Sequence, residues 1–269
     1  MAERIPESLL EMHHHSALFA HYAALYGAKV MKLYKPVPQK EAWVGFDQAW
    51  TRTDLTQTQL HDALASAVQF GGKTIGKFYV GEFLQFKVMD RKVRASKVMP
   101  SGFSTPYIRT ELSLAPNKLT GISQHETLRR LSGVSGASVY YACPMLFESD
   151  EIWEQPADLK KLRLVDVKSS PSGWLTNESH HLIFQDAYAS PLWCSDPLPA
   201  TGLDFLQRPA DFLPRTMSGE AAIEFIGACE RAVRQAPDTE RRQRDLIEEV
   251  ALPSNYLPEC FTLYEFVRI

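Results

Sequence analysis

A mixed α/β fold follows from three features of the sequence. Runs with helical spacing alternate with short apolar runs in the order α-β-β-(α)-β-α-β-β. One helical run opens on a capping box. One apolar run is continuous, as a strand covered on both faces must be. The expected architecture is a mixed central sheet with flanking helices.

The first helix is expected over Glu7–Tyr26, where Leu10, His14, Ala17, Leu18, His21, Tyr22 and Leu25 recur at helical spacing and Gly27 supplies the stop. A strand over 28–35 ends at Pro36 and Pro38. A second strand, 43–50, carries Asp47 in its middle. Residues 54–68 read as a helix capped by Thr56, with Leu60, Leu64 and Val68 on one face. Gly71, Gly72 and Gly76 make a joint before the apolar strand 78–88. Residues 91–108 have no period, and Pro100, Gly102 and Pro106 mark an extended loop. A short strand is expected within 107–114. The helix 122–132 starts on Ser123, with Glu126 three residues on. The continuous apolar strand is 137–143. Residues 148–160 are helical or irregular, and 162–167 and 180–184 are two further strands. Proline-rich sequence fills 191–214, a helix is expected over 219–234, and 238–250 is charged.

At 269 residues, with 45% hydrophobic and 23% charged content, the chain suffices for a substantial core. A net charge of −3 and a pI near 6.3 give no global attraction to nucleic acid. Such a partner needs a local basic patch. Lys92, Arg94 and Lys97, with Arg91, form one candidate; Arg129 with Arg130 forms another. The competing reading of both is ordinary solvated charge. The four cysteines, Cys143, Cys194, Cys229 and Cys260, lie far apart and read as reduced thiols of a cytoplasmic protein. The first residues lack an apolar signal core, and no apolar stretch nears the ~20 residues of a membrane span.

The chemistry concentrates on two strands. Residues two apart on a strand share a face, so Gln85 and Lys87 project together and Phe86 points oppositely, into the core. If strand 43–50 pairs with strand 78–88, Asp47 faces both. An acid, an amide and a lysine so placed can hold Mg²⁺ and an attacking water beside a phosphodiester. Asp47 and Lys87 both lie inside apolar strands, where an unpaired charge is costly. The plainer alternative is a turn acid beside an exposed, lysine-bearing strand face.

This order of elements resembles the PD-(D/E)XK nuclease superfamily. Its core is a helix, a three-strand meander with the acid on the second strand and (D/E)-x-K on the third, then a helix and a strand. The resemblance covers residues 1–145 as a restriction-endonuclease-like core. It leaves 146–269 as an extension of the same globular domain, shaping the groove or docking a partner. Gln85 stands where the family has an acid, a variant shared with Mrr-like restriction endonucleases. The resemblance implies Asp47 and Gln85 as metal ligands with the Phe86 carbonyl, and Lys87 as the residue that orients water and neutralises developing charge. It implies a glutamate from the first helix, for which Glu11 is chosen and Glu7 is the reserve. It implies a polar residue from the following helix, for which Gln124 fits, with His125 beside it.

Two rivals sit in the chain. Asp166-Val167-Lys168, preceded by Asp158, matches D-x-K literally, but Ser169-Ser170-Pro171 stops its strand at once. Glu11 with His15, joined by His21, His180 or His181, would make a metal-dependent hydrolase of a different class, although HExxH is absent. Gly133–Ala137 follows a helix and opens a strand, the reverse of a nucleophile elbow, and no phosphate-binding glycine loop occurs. The sequence thus points to a Mg²⁺- or Mn²⁺-dependent nuclease acting on DNA, with RNA as the other substrate class, in restriction, repair or phage defence. The alternative is a catalytically silent nuclease fold serving as a binding module, with a protein partner or a second copy of itself.

Overall fold

The computed structural model describes residues 5–27, 31–34, 45–52, 74–75, 79–116, 121–172, 174, 179–194, 197–207 and 217–218, with isolated positions at 59 and between 221 and 232. Apart from Gln59, which is helical, the expected helix 54–68 lies outside the described residues, as do the charged stretch 238–250 and Cys260.

The chain opens with helix α1 (Glu7–Tyr26), followed by strands β1 (Met31–Tyr34), β2 (Gln48–Arg52), β3 (Thr74–Ile75), β4 (Tyr79–Phe86), β5 (Asp90–Lys92) and β6 (Tyr107–Leu112). Helix α2 (Gln124–Ser132) leads to β7 (Ser138–Pro144). A short helix α3 (Asp150–Glu154) precedes β8 (Leu162–Asp166), β9 (His180–Phe184), β10 (Leu192–Cys194), β11 (Leu198–Pro199), β12 (Gly202–Asp204) and β13 (Met217–Ser218). The class is mixed α/β, and most strand pairs are antiparallel.

A six-stranded sheet runs in the order β1-β2-β4-β7-β8-β12. Its one parallel pair, β4 with β7, demands a crossover, and α2 lies on that return path. A five-stranded antiparallel sheet runs β11-β10-β9-β6-β5, and β13 pairs with β3. Strand pairing crosses residue 145 in both large sheets. The pair β7–β8 extends the first sheet, and β6–β9 builds the second.

The six-stranded sheet is covered on both faces. On one, Phe83, Tyr141 and Val165 pack with Leu128 and Leu131 of α2 and with Leu182, Phe184 and Trp193 of the second sheet. On the other, Leu84, Phe86, Ala142 and Leu164 meet Leu18 and Tyr22 of α1. This double burial is why β4 and β7 read as continuous apolar runs. Leu10, His14, Leu18 and Tyr22 form the buried stripe of α1 at four-residue steps. The helix stops at Gly27, whose φ of 86° suits a residue without a Cβ.

Several boundaries differ from the sequence expectation. The second strand begins at Gln48, so Asp47 stands just before it, although its N–H still donates to the Leu84 carbonyl at 2.9 Å. Ser123 caps α2 by accepting from the Glu126 N–H at 3.1 Å. The Glu126 carboxylate, however, pairs with Arg129 and Arg130 instead of closing the capping box. The proline-rich segment contains three short strands, β10, β11 and β12, because pairing to β9 and β8 supplies hydrogen bonds that local propensity does not reveal. The expected loop 91–108 begins on β5 and ends on β6 for the same reason.

Candidate active site

The β2–β4 register sets Gln48 opposite Leu84, which brings Asp47 beside Gln85. One Asp47 carboxylate oxygen, Oδ2, accepts from the Phe86 N–H at 2.7 Å and from Gln85 Nε2 at 2.9 Å. Gln85 Nε2 also donates to Glu7 Oε1 at 2.6 Å and lies 3.3 Å from the Phe86 carbonyl. Lys87 Nζ forms an ion pair with the same Glu7 oxygen at 3.2 Å and lies 3.5 Å from Gln124 Oε1. Gln124 Nε2 donates to Gln85 Oε1 at 2.8 Å, which closes the ring of contacts. The structure therefore brings together Asp47, Gln85, Lys87 and Gln124, from two strand ends and the first turn of α2.

The helix-borne acid is Glu7, not Glu11. Glu7 lies in the first turn of α1, level with the end of β4 and two-fifths exposed at the mouth of the cluster. Glu11 sits one turn deeper, where its Oε1 accepts from Gln48 Nε2 at 2.9 Å; Gln48 in turn accepts from the Trp50 indole at 3.1 Å. The helical step thus places Glu11 behind the cluster of Glu7, Asp47, Gln85, Lys87 and Gln124. Its charge still reaches Asp47.

Asp47, Gln85 and Lys87 are all buried. Burial raises the Asp47 carboxyl to about 8; the Glu7 charge adds to that rise, and Lys87 and the Phe86 N–H oppose it. Two acids thus share a poorly solvated recess with one ammonium. The oxygens of Asp47 and Glu7, the Gln85 amide oxygen and the Phe86 carbonyl are hard donors of the type that Mg²⁺ and Mn²⁺ take. A divalent cation would offset both the lost hydration of the buried Asp47 charge and the repulsion from Glu7, so the residues fit such an ion. In the observed arrangement Gln85 turns its nitrogen to the acids and its oxygen to Gln124. Among the described residues no three His, Cys, Asp or Glu side chains are grouped to hold a metal ion. The candidate set is complete only with the amide and carbonyl oxygens.

Behind Lys87, its ammonium lies 5.8 Å from the centre of the Tyr141 ring. The Tyr141 hydroxyl is hydrogen-bonded to His125 Nδ1 at 2.8 Å. Burial pushes His125 down to about 4, so the ring is neutral at pH 7. Trp174 packs here against His125 and stacks on His180 with ring centres 4.3 Å apart. Trp174 is half-buried and packs through these contacts against the edge of the core.

Gly45 sets the approach of Asp47 to α2. Its φ is 80°, and a Cβ there would lie 3.2 Å from Thr127 and 3.3 Å from the Gln124 carbonyl. Gly45→Ala is expected to destabilise the fold by about 1–2 kcal/mol from the left-handed backbone alone. Chemical denaturation would measure it.

The rival motif does not assemble a site among the described residues. Asp166 Oδ1 accepts from the Lys168 N–H at 2.8 Å and Asp158 Oδ1 from the Lys160 N–H at 2.9 Å; each carboxylate caps its own turn. Lys168→Ala, at an exposed position, is expected to leave stability within about 0.5 kcal/mol of wild type, the usual range of a surface substitution, as chemical denaturation would measure. The histidine alternative disperses too. His14 is in the core with Nδ1 on the Leu10 carbonyl, His15 faces Trp50, and His181 lies in the second sheet. Of the basic residues, Arg129 is tied to Glu126 at 2.8 Å and Lys92 to Asp90 at 3.2 Å, whereas Arg94 and Lys97 stand exposed after β5. No helix among the described residues is long and apolar enough to cross a membrane. No family model, curated protein or solved structure matches the chain.

Proposed function

We propose that the chain is a metal-dependent nuclease with a restriction-endonuclease-like core, acting on DNA. The observation that carries this reading is the convergence of Glu7, Asp47, Gln85, Lys87 and Gln124 from four separate elements, α1, β2, β4 and α2. Supporting it is the path α1-β1-β2-β4-α2-β7, with the acid entering the second main strand, Q-x-K closing the third, and the next strand parallel to it.

Asp47, Glu7, Gln85 and the Phe86 carbonyl would hold Mg²⁺ or Mn²⁺. When bound, the ion lowers the pKa of a coordinated water and neutralises charge on the phosphate. Lys87 keeps its ammonium at the mouth through Glu7 and Gln124, where it orients the attacking water and stabilises the negative charge that develops on the phosphoryl oxygens. Water gives up a proton to solvent as it attacks phosphorus in line, the bond to the leaving sugar oxygen breaks, and that oxygen takes up a proton. Restriction, repair and phage defence all employ this reaction. Cys143, Cys194 and Cys229, buried and unbonded to one another, accord with a reducing cytoplasm.

A second reading, a silent nuclease fold used for binding, draws on two observations. Lys87 is paired with Glu7, and the Gln85 nitrogen stands among the acids. A cleavage assay on linear, circular and single-stranded DNA and on RNA, with Mg²⁺, Mn²⁺ or EDTA, separates the two. Metal-dependent cleavage abolished by EDTA is expected; absence of cleavage on every substrate would favour the silent module.

A further inference from the structure

A groove of about 700 Å³ opens beside the site, between the start of α1, the β4–β5 corner and the chain leading into α3. Its lining includes Ile5, two residues before Glu7, and Val88, next to Lys87, which sets the groove near the cluster, although none of the cluster's own residues lines it. Ile5 is buried, Val88 and Phe147 are half-buried, and Arg91, Val93 and Glu148 are exposed around them. Val93 keeps 72% of its surface open.

We infer that this groove binds one unpaired nucleotide of the substrate next to the scissile phosphate, which makes single-stranded nucleic acid the preferred substrate class. The inference rests on the nuclease reading for its link to cleavage, and on the groove alone for binding.

The volume lies within the range of small-ligand sites. Val88, Phe147 and Val93 offer apolar and aromatic surface to the face of a base, and every base has such a face. The charges divide in the same sense. Lys92 is paired with Asp90, and Glu151 accepts the N–H groups of Phe147 and Glu148. Arg91 has no acid partner among the described residues and can meet a phosphate. Glu148 would repel a phosphate yet can accept from a base amino group, an edge that base pairing hides. A duplex backbone would bring two rows of phosphate toward an acid-bearing groove; a single strand brings one.

The test measures binding by the wild-type chain in EDTA to a labelled single-stranded DNA of about 12 nucleotides, a length within known site sizes. The matching duplex, Arg91→Glu and Val93→Glu are compared with it. Both variants alter exposed residues outside the catalytic cluster. Single-strand binding at least tenfold tighter than duplex binding is expected, weakened about tenfold or more in each variant. In Mg²⁺ the variants should raise KM with kcat retained. Cleavage that persists with binding and KM insensitive to both substitutions would overturn the groove assignment and leave the nuclease reading standing. Binding lost in the variants but no cleavage by wild type would support the groove and sink the nuclease reading. A wild-type chain with no affinity for single strands, or with a preference for duplex or a protein ligand, would overturn the inference.

Discussion

Lys87→Ala is expected to reduce metal-dependent cleavage by about two to four orders of magnitude while the protein stays folded. The ammonium is the only cationic group in hydrogen-bond contact with the Glu7–Asp47–Gln85–Gln124 cluster among the described residues, and its reach is set by Glu7 at 3.2 Å and Gln124 at 3.5 Å. Truncation removes the group that would face the developing phosphoryl charge. It leaves β4 and its pairing intact, because Lys87 joins the sheet through its backbone N–H to the Ala142 carbonyl. Single-turnover cleavage in Mg²⁺, beside circular dichroism of the same sample, reads both quantities. Lys87→Arg tests the geometry: it keeps the charge but not the compact ammonium, and partial activity is expected. Undiminished cleavage by Lys87→Ala in a folded protein would move the chemistry elsewhere in the chain.

Asp47→Asn is expected to produce opposite effects on activity and on metal-free stability. The folded carboxyl is raised from 3.8 to about 8, foremost by burial and then by the Glu7 charge. The folded state therefore holds this proton more tightly than the unfolded chain does. Its stabilising effect is complete below pH 4 and is lost as the pH climbs toward 8. At about 1.4 kcal/mol per unit, a difference of this size makes the loss several kcal/mol. Asparagine removes the buried charge and keeps an oxygen for the Phe86 and Gln85 donors. In EDTA at pH 8 the variant should melt higher than wild type, and its stability should be nearly flat from pH 5 to 8. Saturating Mg²⁺ should then raise the wild-type melting temperature, by about 2.7 kcal/mol of stability at a hundredfold excess over Kd, with little change in the variant. Cleavage should disappear in the variant. A wild-type stability that is level with pH and indifferent to Mg²⁺ would remove the basis for a cation at Asp47.

Much of the sheet was legible because periodicity and punctuation are local. Helix 122–132, strand 137–143 and strand 180–184 are found within two residues of their expected places. Asp47, Gln85 and Lys87 were legible together because a charge inside an apolar strand needs a partner, and alternation says which residues share a side. The choice between Glu7 and Glu11 was not. Both lie on one face of α1, one turn apart, and only the docking depth of the helix against β4 separates them.

Sequence alone therefore determined the alternating elements, the polar pair on β4 and the acid placed to meet it. These depend on spacing along one chain segment. The tertiary structure decided that α1 delivers Glu7, that Gln85 shows its nitrogen to the acids, and that D166-V-K168 is a capped turn. It also decided that the proline-rich segment forms strands, Pro199 among them, and that a groove opens near the cluster. These depend on contacts between residues dozens of positions apart. Their energies come from burial and hydrogen-bond partners that no local pattern records.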